Sequence, residues 1–291
     1  MQDFEYFAPT TVEEAVRLMA GNGQRAKALA GGTDVLVQLR GRRFEIDRLV
    51  DVKKIPDLNQ LSCSESKGLT VGAAVPCYRV YEDPTIQRLY PGLVDAASLI
   101  GGIQIQGRAT MGGNLCNAAP SGDTIPAQIV LEATCEIAGP NGRRTIPVED
   151  FCTGPGRNVL GQGEILVALK FPPPRANSGA SFLRFIPRNE MDIAVANSGV
   201  SVLLDNSKRR IVSARIALGS VAPTPVMARE AMELLAGKAA SEATIEAAGE
   251  AAKSAARPIN DMRGTIVQRI HLVGVLTKRS LRKAISRARG E

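Results

Sequence analysis

Three consecutive prolines, Pro172, Pro173 and Pro174, divide this 291-residue chain. Proline has no backbone N–H and holds φ at about −65°, so neither a helix nor a central strand runs through such a cluster. The residues before it, "GEILVALKF", read as a strand, and "RANSG" after it as a linker. The boundary falls near Pro172–Asn177, giving expected domains at residues 1–175 and 176–291. With 44% hydrophobic residues, the chain has apolar material for two or three cores.

Helix and strand signals alternate before the prolines. "FEYFAP" is strand-like and ends at Pro9. In "TTVEEAVRLMAGNG", Thr11 takes the N-cap position with Glu14 three residues on, and Val12, Ala15, Val16 and Met19 share one helical face. Gly21 and Gly23 end that helix. "AKALAGG" is a short buried strand, a helix follows near Val35–Leu39, and "RLVDVKKIP" is another short strand. The texture changes after residue 55, which splits the first domain into subdomains of about 1–55 and 56–175. A hairpin leads into helices at "PGLVDAASLIGG" and "TIPAQIVLEA", and "CEIAGPNGRRTIPVEDF" is a hairpin turned at Pro-Asn-Gly. Beyond the prolines, "ASFLRFIP", "NSGVSVLLDN" and "RIVSARIALGSV" read as antiparallel strands. An Ala-rich helical region follows from about Pro225. The fold class is α+β.

Several functions drop out. No run of about 18 apolar residues exists for a transmembrane segment. "MQDFEYFAPTT" lacks the basic start and apolar stretch of a secretory signal. The expected location is cytoplasmic. Cys63, Cys77, Cys116, Cys135 and Cys152 are odd in number and form no C-x-x-C pair, which argues against a zinc site or an iron–sulfur cluster held by this chain alone. They are expected to be small buried hydrophobes. His271 is the single histidine and lies in an apolar helical stretch, so His-based nucleophilic mechanisms and His-rich metal sites are excluded. The net charge of +7 is concentrated near the end, where Lys278, Arg279, Arg282, Lys283, Arg287 and Arg289 have the spacing of one wet helical face. That pattern reads as a solvated face or as a dock for an acidic partner or nucleic acid. Aromatics at 4% and the lack of Trp argue against base stacking.

Two side-chain-poor loops carry the positive signal. In "LAGGTDVLVQLR" a strand runs through Ala30 into Gly31-Gly32, then Thr33, Asp34 and a helix. Glycine lets a ligand lie on the backbone, and a helix start offers free N–H groups. The plainer reading is a tight turn capped by Thr33 or Asp34. In "ATMGGNLCNAAPSGDTIP", Gly112-Gly113 are flanked by Thr110, Met111 and Asn114, with Asp123 before the next helix as its N-cap or as an acceptor for sugar hydroxyls. Two such loops about 80 residues apart suggest two walls around one long phosphate-bearing ligand, and a dinucleotide fits that shape. Neither loop is a G-x-G-x-x-G or P-loop pattern.

Together with "FLRFIPRNEMDIAVANSGV" and "DMRGTIVQRIHLVGVLTKRSL", these loops resemble the FAD-binding medium subunit of the molybdenum hydroxylases, the xanthine dehydrogenase and aerobic carbon monoxide dehydrogenase family. The resemblance implies a two-subdomain FAD-binding (PCMH-like) fold and a smaller C-terminal α+β domain with an antiparallel sheet and helices. It implies a first FAD loop at Ala30, Gly31, Gly32, Thr33 and Asp34, and a second at Thr110, Met111, Gly112, Gly113 and Asn114. Asp123 would contact FAD, the Leu166 backbone would lie near the flavin, and Ile100 would sit at its ring. Arg184 stands where many relatives have a flavin-proximal Lys, and Ile193 where some place a Tyr. Arg188 and Asp192 read as a solvated turn or as support for the flavin face. The resemblance further implies a large subunit with the molybdenum cofactor and a small subunit with two [2Fe–2S] clusters, assembled as a dimer of heterotrimers. Electrons would pass through FAD to an acceptor such as NAD, oxygen or a quinone-linked carrier. A self-sufficient FAD-dependent reductase, similar to the enolpyruvyl-UDP-sugar reductase, and a basic phosphate- or nucleic-acid-binding module are the alternative readings.

Overall fold

The computed structural model describes residues 3–21 and 25–291, so Gly23 lies outside the described residues. Strand β1 (Glu5–Phe7), helix α1 (Val12–Ala20), β2 (Ala26–Leu29), α2 (Val35–Arg40) and β3 (Arg48–Asp51) form the first unit. Its sheet is parallel in the order β1-β3-β2, so each helix is a crossover. The Thr11 hydroxyl accepts the Glu14 N–H at 3.2 Å, and the Glu14 carboxylate accepts the Thr10 N–H, also at 3.2 Å. Those bonds satisfy the start of α1, which buries Val12, Ala15 and Val16.

The second unit contains β4 (Leu61–Ser64), β5 (Gly68–Gly72), α3 (Cys77–Tyr81), α4 (Pro84–Leu89), α5 (Pro91–Ala97), α6 (Ile103–Gln106), α7 (Met111–Asn117) and α8 (Thr124–Val130). It continues through β6 (Thr134–Gly139), β7 (Gly142–Pro147), β8 (Cys152–Gly154), β9 (Arg157–Asn158) and β10 (Ile165–Phe171). Five strands form an antiparallel sheet ordered β4-β5-β10-β6-β7. The last strand in sequence takes the centre because "ILVALKF" is apolar on both faces, and all but Lys170 are buried.

After the prolines come β11 (Ser178–Phe185), β12 (Ala196–Leu204), β13 (Ile211–Gly219) and β14 (Val226–Met227), an antiparallel sheet in sequence order. Helices α9 (Arg229–Leu235), α10 (Glu242–Ala252) and α11 (Ile266–Arg289) follow. On one face of this sheet Ser181 donates to the Ser280 carbonyl of α11 at 2.9 Å. The opposite face meets α8. A Cβ on Gly199 would stand 2.8 Å from the Pro126 backbone, so the strand and α8 approach too closely for any side chain there. Phe182, Arg184 and Asn197 share that face, since Phe182 pairs with Gly199 and Arg184 with Asn197. The C-terminal sheet thus has its own core under α9–α11 and turns its other face to the first part of the chain.

Candidate functional site

The two glycine loops touch. A Cβ on Gly31 would lie 2.1 Å from the Arg108 carbonyl oxygen, and the Arg108 Nε donates to the Gly31 carbonyl at 3.2 Å. Gln38 of α2 also donates to Asn117 of α7 at 3.0 Å. Ala30, Gly31, Gly32 and Thr33 are half-buried and Asp34 is exposed. Gly32 has φ of +81°, which glycine adopts without strain. Asp34 occupies the N-cap position of α2, yet its side chain makes no capping bond.

In the second loop Thr110 caps α7. Its hydroxyl oxygen accepts the Gly113 N–H at 2.8 Å, and its carbonyl accepts the Asn114 N–H at 2.9 Å. The Gly113 N–H is therefore engaged by the cap rather than free. The antiparallel bridge between Pro76 and Thr110 turns the Met111 N–H toward the Val75 carbonyl, which leaves the Gly112 N–H as the first-turn donor without a protein partner. The Met111 side chain is fully buried. A Cβ on Gly112 would lie 2.7 Å from the Ala73 backbone, so this glycine serves packing. At Gly113 it would meet only Thr110 Oγ1, at 2.9 Å. The Asn114 side-chain Oδ1 accepts from the Thr124 N–H at 3.3 Å and the Thr124 hydroxyl at 2.7 Å, tying the loop to α8. Leu166 is buried on β10, and the neighbouring Val167 carbonyl holds the Ala73 N–H at 2.8 Å, directly behind Gly112. Ile100 is half-buried in the turn between α5 and α6.

Asp123 sits at the N-cap position of α8 but makes no side-chain cap bond. Its Oδ2 instead accepts from Arg184 Nη1. The two side chains are 10% and 5% exposed, and the pair joins the loop before α8 to the C-terminal sheet. Burial pushes the Asp123 carboxyl up to about 6, with Arg184 working against that rise. Asp123 Oδ1 is buried without a hydrogen-bond partner. The Asn114–Thr124 bonds thus tie the second glycine loop to the start of α8, and the Asp123–Arg184 pair ties that start to the C-terminal sheet.

Other signals resolve differently. Arg188 and Asp192 bond each other at 3.0 Å in an exposed turn, with Ile193 exposed beside them. Cys77 and Cys135 are buried while Cys63, Cys116 and Cys152 are half-buried. Burial pushes the Cys116 thiol up to about 12, which suits a wall residue and not a nucleophile. His271 is exposed. The basic helix face is largely engaged within the chain. Lys278 pairs with Glu246 at 2.8 Å, Arg282 with Glu242 and with Glu246, and Lys283 and Arg287 with Asp95 at 3.0 and 2.6 Å. That removes most of the positive field a nucleic acid would need. Sequence reading missed Asn197, Ser220, Gln128 and Arg269, which are buried or carry buried side-chain polar atoms around this region. The one hint for Asn197 was an amide within the otherwise apolar and small "AVANSGV".

Residues 2–174 match the family described as the FAD binding domain in molybdopterin dehydrogenase, and residues 181–284 the CO dehydrogenase flavoprotein C-terminal domain. The chain is 36% identical over 293 residues to a xanthine dehydrogenase FAD-binding subunit of Escherichia coli, covering 100% of this chain and 99% of that one. It is 33% identical over 284 residues to the carbon monoxide dehydrogenase medium chain of Hydrogenophaga pseudoflava, covering 98% of each. A solved carbon monoxide dehydrogenase from Hydrogenophaga pseudoflava superposes with a TM-score of 0.93 over 98% of both chains at 33% identity. The quinoline 2-oxidoreductase of Pseudomonas putida does so with a TM-score of 0.90 at 30% identity, over 99% of this chain and 98% of that one.

Proposed function

The chain belongs to the family of FAD-binding subunits of the molybdopterin dehydrogenases, and from that premise we propose how its own residues hold the cofactor. It is an oxidoreductase subunit that binds FAD and transfers electrons within a molybdenum hydroxylase complex. In homologous complexes the molybdenum cofactor and the iron–sulfur clusters reside on partner subunits. When bound, the flavin supplies one- and two-electron chemistry, and the protein supplies position and electrostatics.

The residues present fit this group. The unpartnered Gly112 N–H and the first turn of α7 suit the chemistry of a diphosphate. Gly113 leaves space beside them, and Asp123 Oδ1 is an unused acceptor for a hydroxyl or ring N–H. In our reading Ala30, Gly31, Gly32, Thr33 and Asp34 form one wall and Thr110, Met111, Gly112, Gly113 and Asn114 the other. Asp123 and Arg184 orient the flavin end, beside Ile100 and Leu166. The domains run over residues 1–175, with subdomains at about 1–55 and 56–175, and over 176–291. The partners are a molybdenum subunit and a small subunit with two [2Fe–2S] clusters, in a dimer of heterotrimers in the cytoplasm. Among the described residues no helix is long and apolar enough to cross a membrane.

The observation that carries the site assignment is the contact between the loops at Gly31 and Arg108. It supports one ligand lying against both. Titration of the apo chain with FAD, followed by flavin fluorescence, tests it. Stoichiometric binding to the wild-type chain and its loss in Gly113→Val are expected. A Gly113→Val chain that retains wild-type affinity would overturn the second wall. Native mass spectrometry of the complex checks the stoichiometry, and a mass other than two of each subunit would overturn that part.

A further inference from the structure

Six buried side-chain polar atoms lack a hydrogen-bond partner among the described residues: Asp123 Oδ1, Gln128 Oε1, Asn197 Nδ2 and Oδ1, Ser220 Oγ and Arg269 Nε. Folded proteins keep few such atoms, and a cluster of them marks a place with a task beyond stability. These six surround one feature. Asp123 and Gln128 belong to the start and body of α8, and Asn197 lies on the sheet face turned to α8. Ser220 follows Gly219, the cross-strand partner of Asn197, and Arg269 Nη1 donates to the Val195 and Ser220 carbonyls at 2.6 and 2.9 Å.

Across three adjacent strands the register aligns Arg184, Asn197 and Gly219. A Cβ on Gly219 would lie 2.4 Å from Asn197 Oδ1, so the glycine makes the room in which the amide sits. Asn197 is fully buried, and it approaches Asp123 closely enough to favour the charged carboxylate without completing a hydrogen bond. The row thus presents a cation, an amide and a gap to one carboxylate.

We propose that Asn197 is a positioning residue for the cofactor site, its buried amide standing beside Arg184 at the Asp123 carboxylate so that the Asp123–Arg184 pair is held in register at the seam. This rests on the FAD reading of that seam. Of the other charged groups on elements packed against α8, Arg215 bonds Glu149 and the Ile129 carbonyl, Asp95 is held by Lys283 and Arg287, and Asp150 is exposed; Arg269 of α11 is held by Asp261. Arg184 and Asn197 are therefore what tune Asp123.

The test follows FAD affinity of the full chain from pH 5 to 8 by fluorescence. In the wild type, affinity falls as acid protonates Asp123 and removes its acceptor charge. Asn197→Leu keeps the volume and removes the donor, so the midpoint of that fall moves to higher pH by about one unit, a tenfold change in proton affinity. Asn197→Asp moves it further, and Asn197→Ser returns it toward wild type. Gly219→Ala, which displaces the amide, moves it in the same direction as Asn197→Leu. If Asn197→Leu does not fold, the Asp variant still moves the midpoint to higher pH while the Ser variant stays near wild type. Variants that lower affinity or melting temperature equally at every pH, with an unmoved midpoint, would overturn the role of Asn197 while leaving the FAD site standing. A wild-type chain that binds no FAD would overturn both.

Discussion

At Gly112 an added Cβ meets the Ala73 backbone, whereas at Gly113 it meets only a hydroxyl of its own cap. The two neighbours therefore answer to different pressures. Gly112→Ala is expected to destabilise the FAD-free chain by about 1–3 kcal/mol through overpacking, read from its urea midpoint. Gly113→Val should act mainly on FAD binding. Asp123 supplies a second test. Its carboxyl is pushed up to about 6 in the folded chain, above the unfolded value of about 3.9. Between those values the folded state holds the proton more tightly than the unfolded state. The contribution of Asp123 to stability is complete below about pH 4 and is lost as pH rises through 6, on the order of 2–3 kcal/mol. Asp123→Asn abolishes this titration. Urea unfolding of both chains at pH 4.5 and 7 should show the wild type losing stability relative to the variant as pH rises. A constant difference between the two curves would contradict the raised carboxyl.

Helix α11 illustrates what charge spacing leaves open at the level of an element. Its cations line one face in the sequence, and their acidic partners lie 28 to 192 residues away. Asp95 of α5 accepts from Lys283, from both Arg287 Nη atoms and from the Phe182 N–H. Burial opposes its charge, but Arg287 and Lys283 outweigh that and hold the carboxyl below its ordinary range. Asp95→Asn leaves Arg287 short of its counter-charge at the join between α5 and the C-terminal unit. A loss of about 3 kcal/mol is expected, measured by urea unfolding at neutral pH. The sign with pH is opposite to that of Asp123. The stabilisation from Asp95 is present above about pH 4 and is lost as pH falls through its lowered folded value. A variant whose stability gap from wild type persists undiminished in strong acid would argue against this ion pair.

For the whole molecule, the seam between the first part of the chain and the C-terminal sheet couples binding to folding. At free FAD of about 100 times Kd the ligand should stabilise the folded chain by about 2.7 kcal/mol. Differential scanning fluorimetry should record a rise of several degrees in the wild type and little change in Gly113→Val. Much of this molecule was legible in its sequence. The small residues at 30–34 and 110–114 stood out because a backbone that must admit a ligand or another backbone excludes side chains locally. The proline cluster, the capping residues of α1 and the hairpin at Pro140-Asn141 were legible for the same reason, since each obeys a rule spanning only a few residues. The central place of β10, the parallel order of β1-β3-β2 and the partners of the basic helix were decided elsewhere. So were the meeting of Gly31 with Arg108 and the burial of Asp123 against Arg184 and Asn197. Those features depend on long-range packing, and the desolvation and charge proximity that govern them are properties of positions in space, which no stretch of neighbouring residues encodes alone.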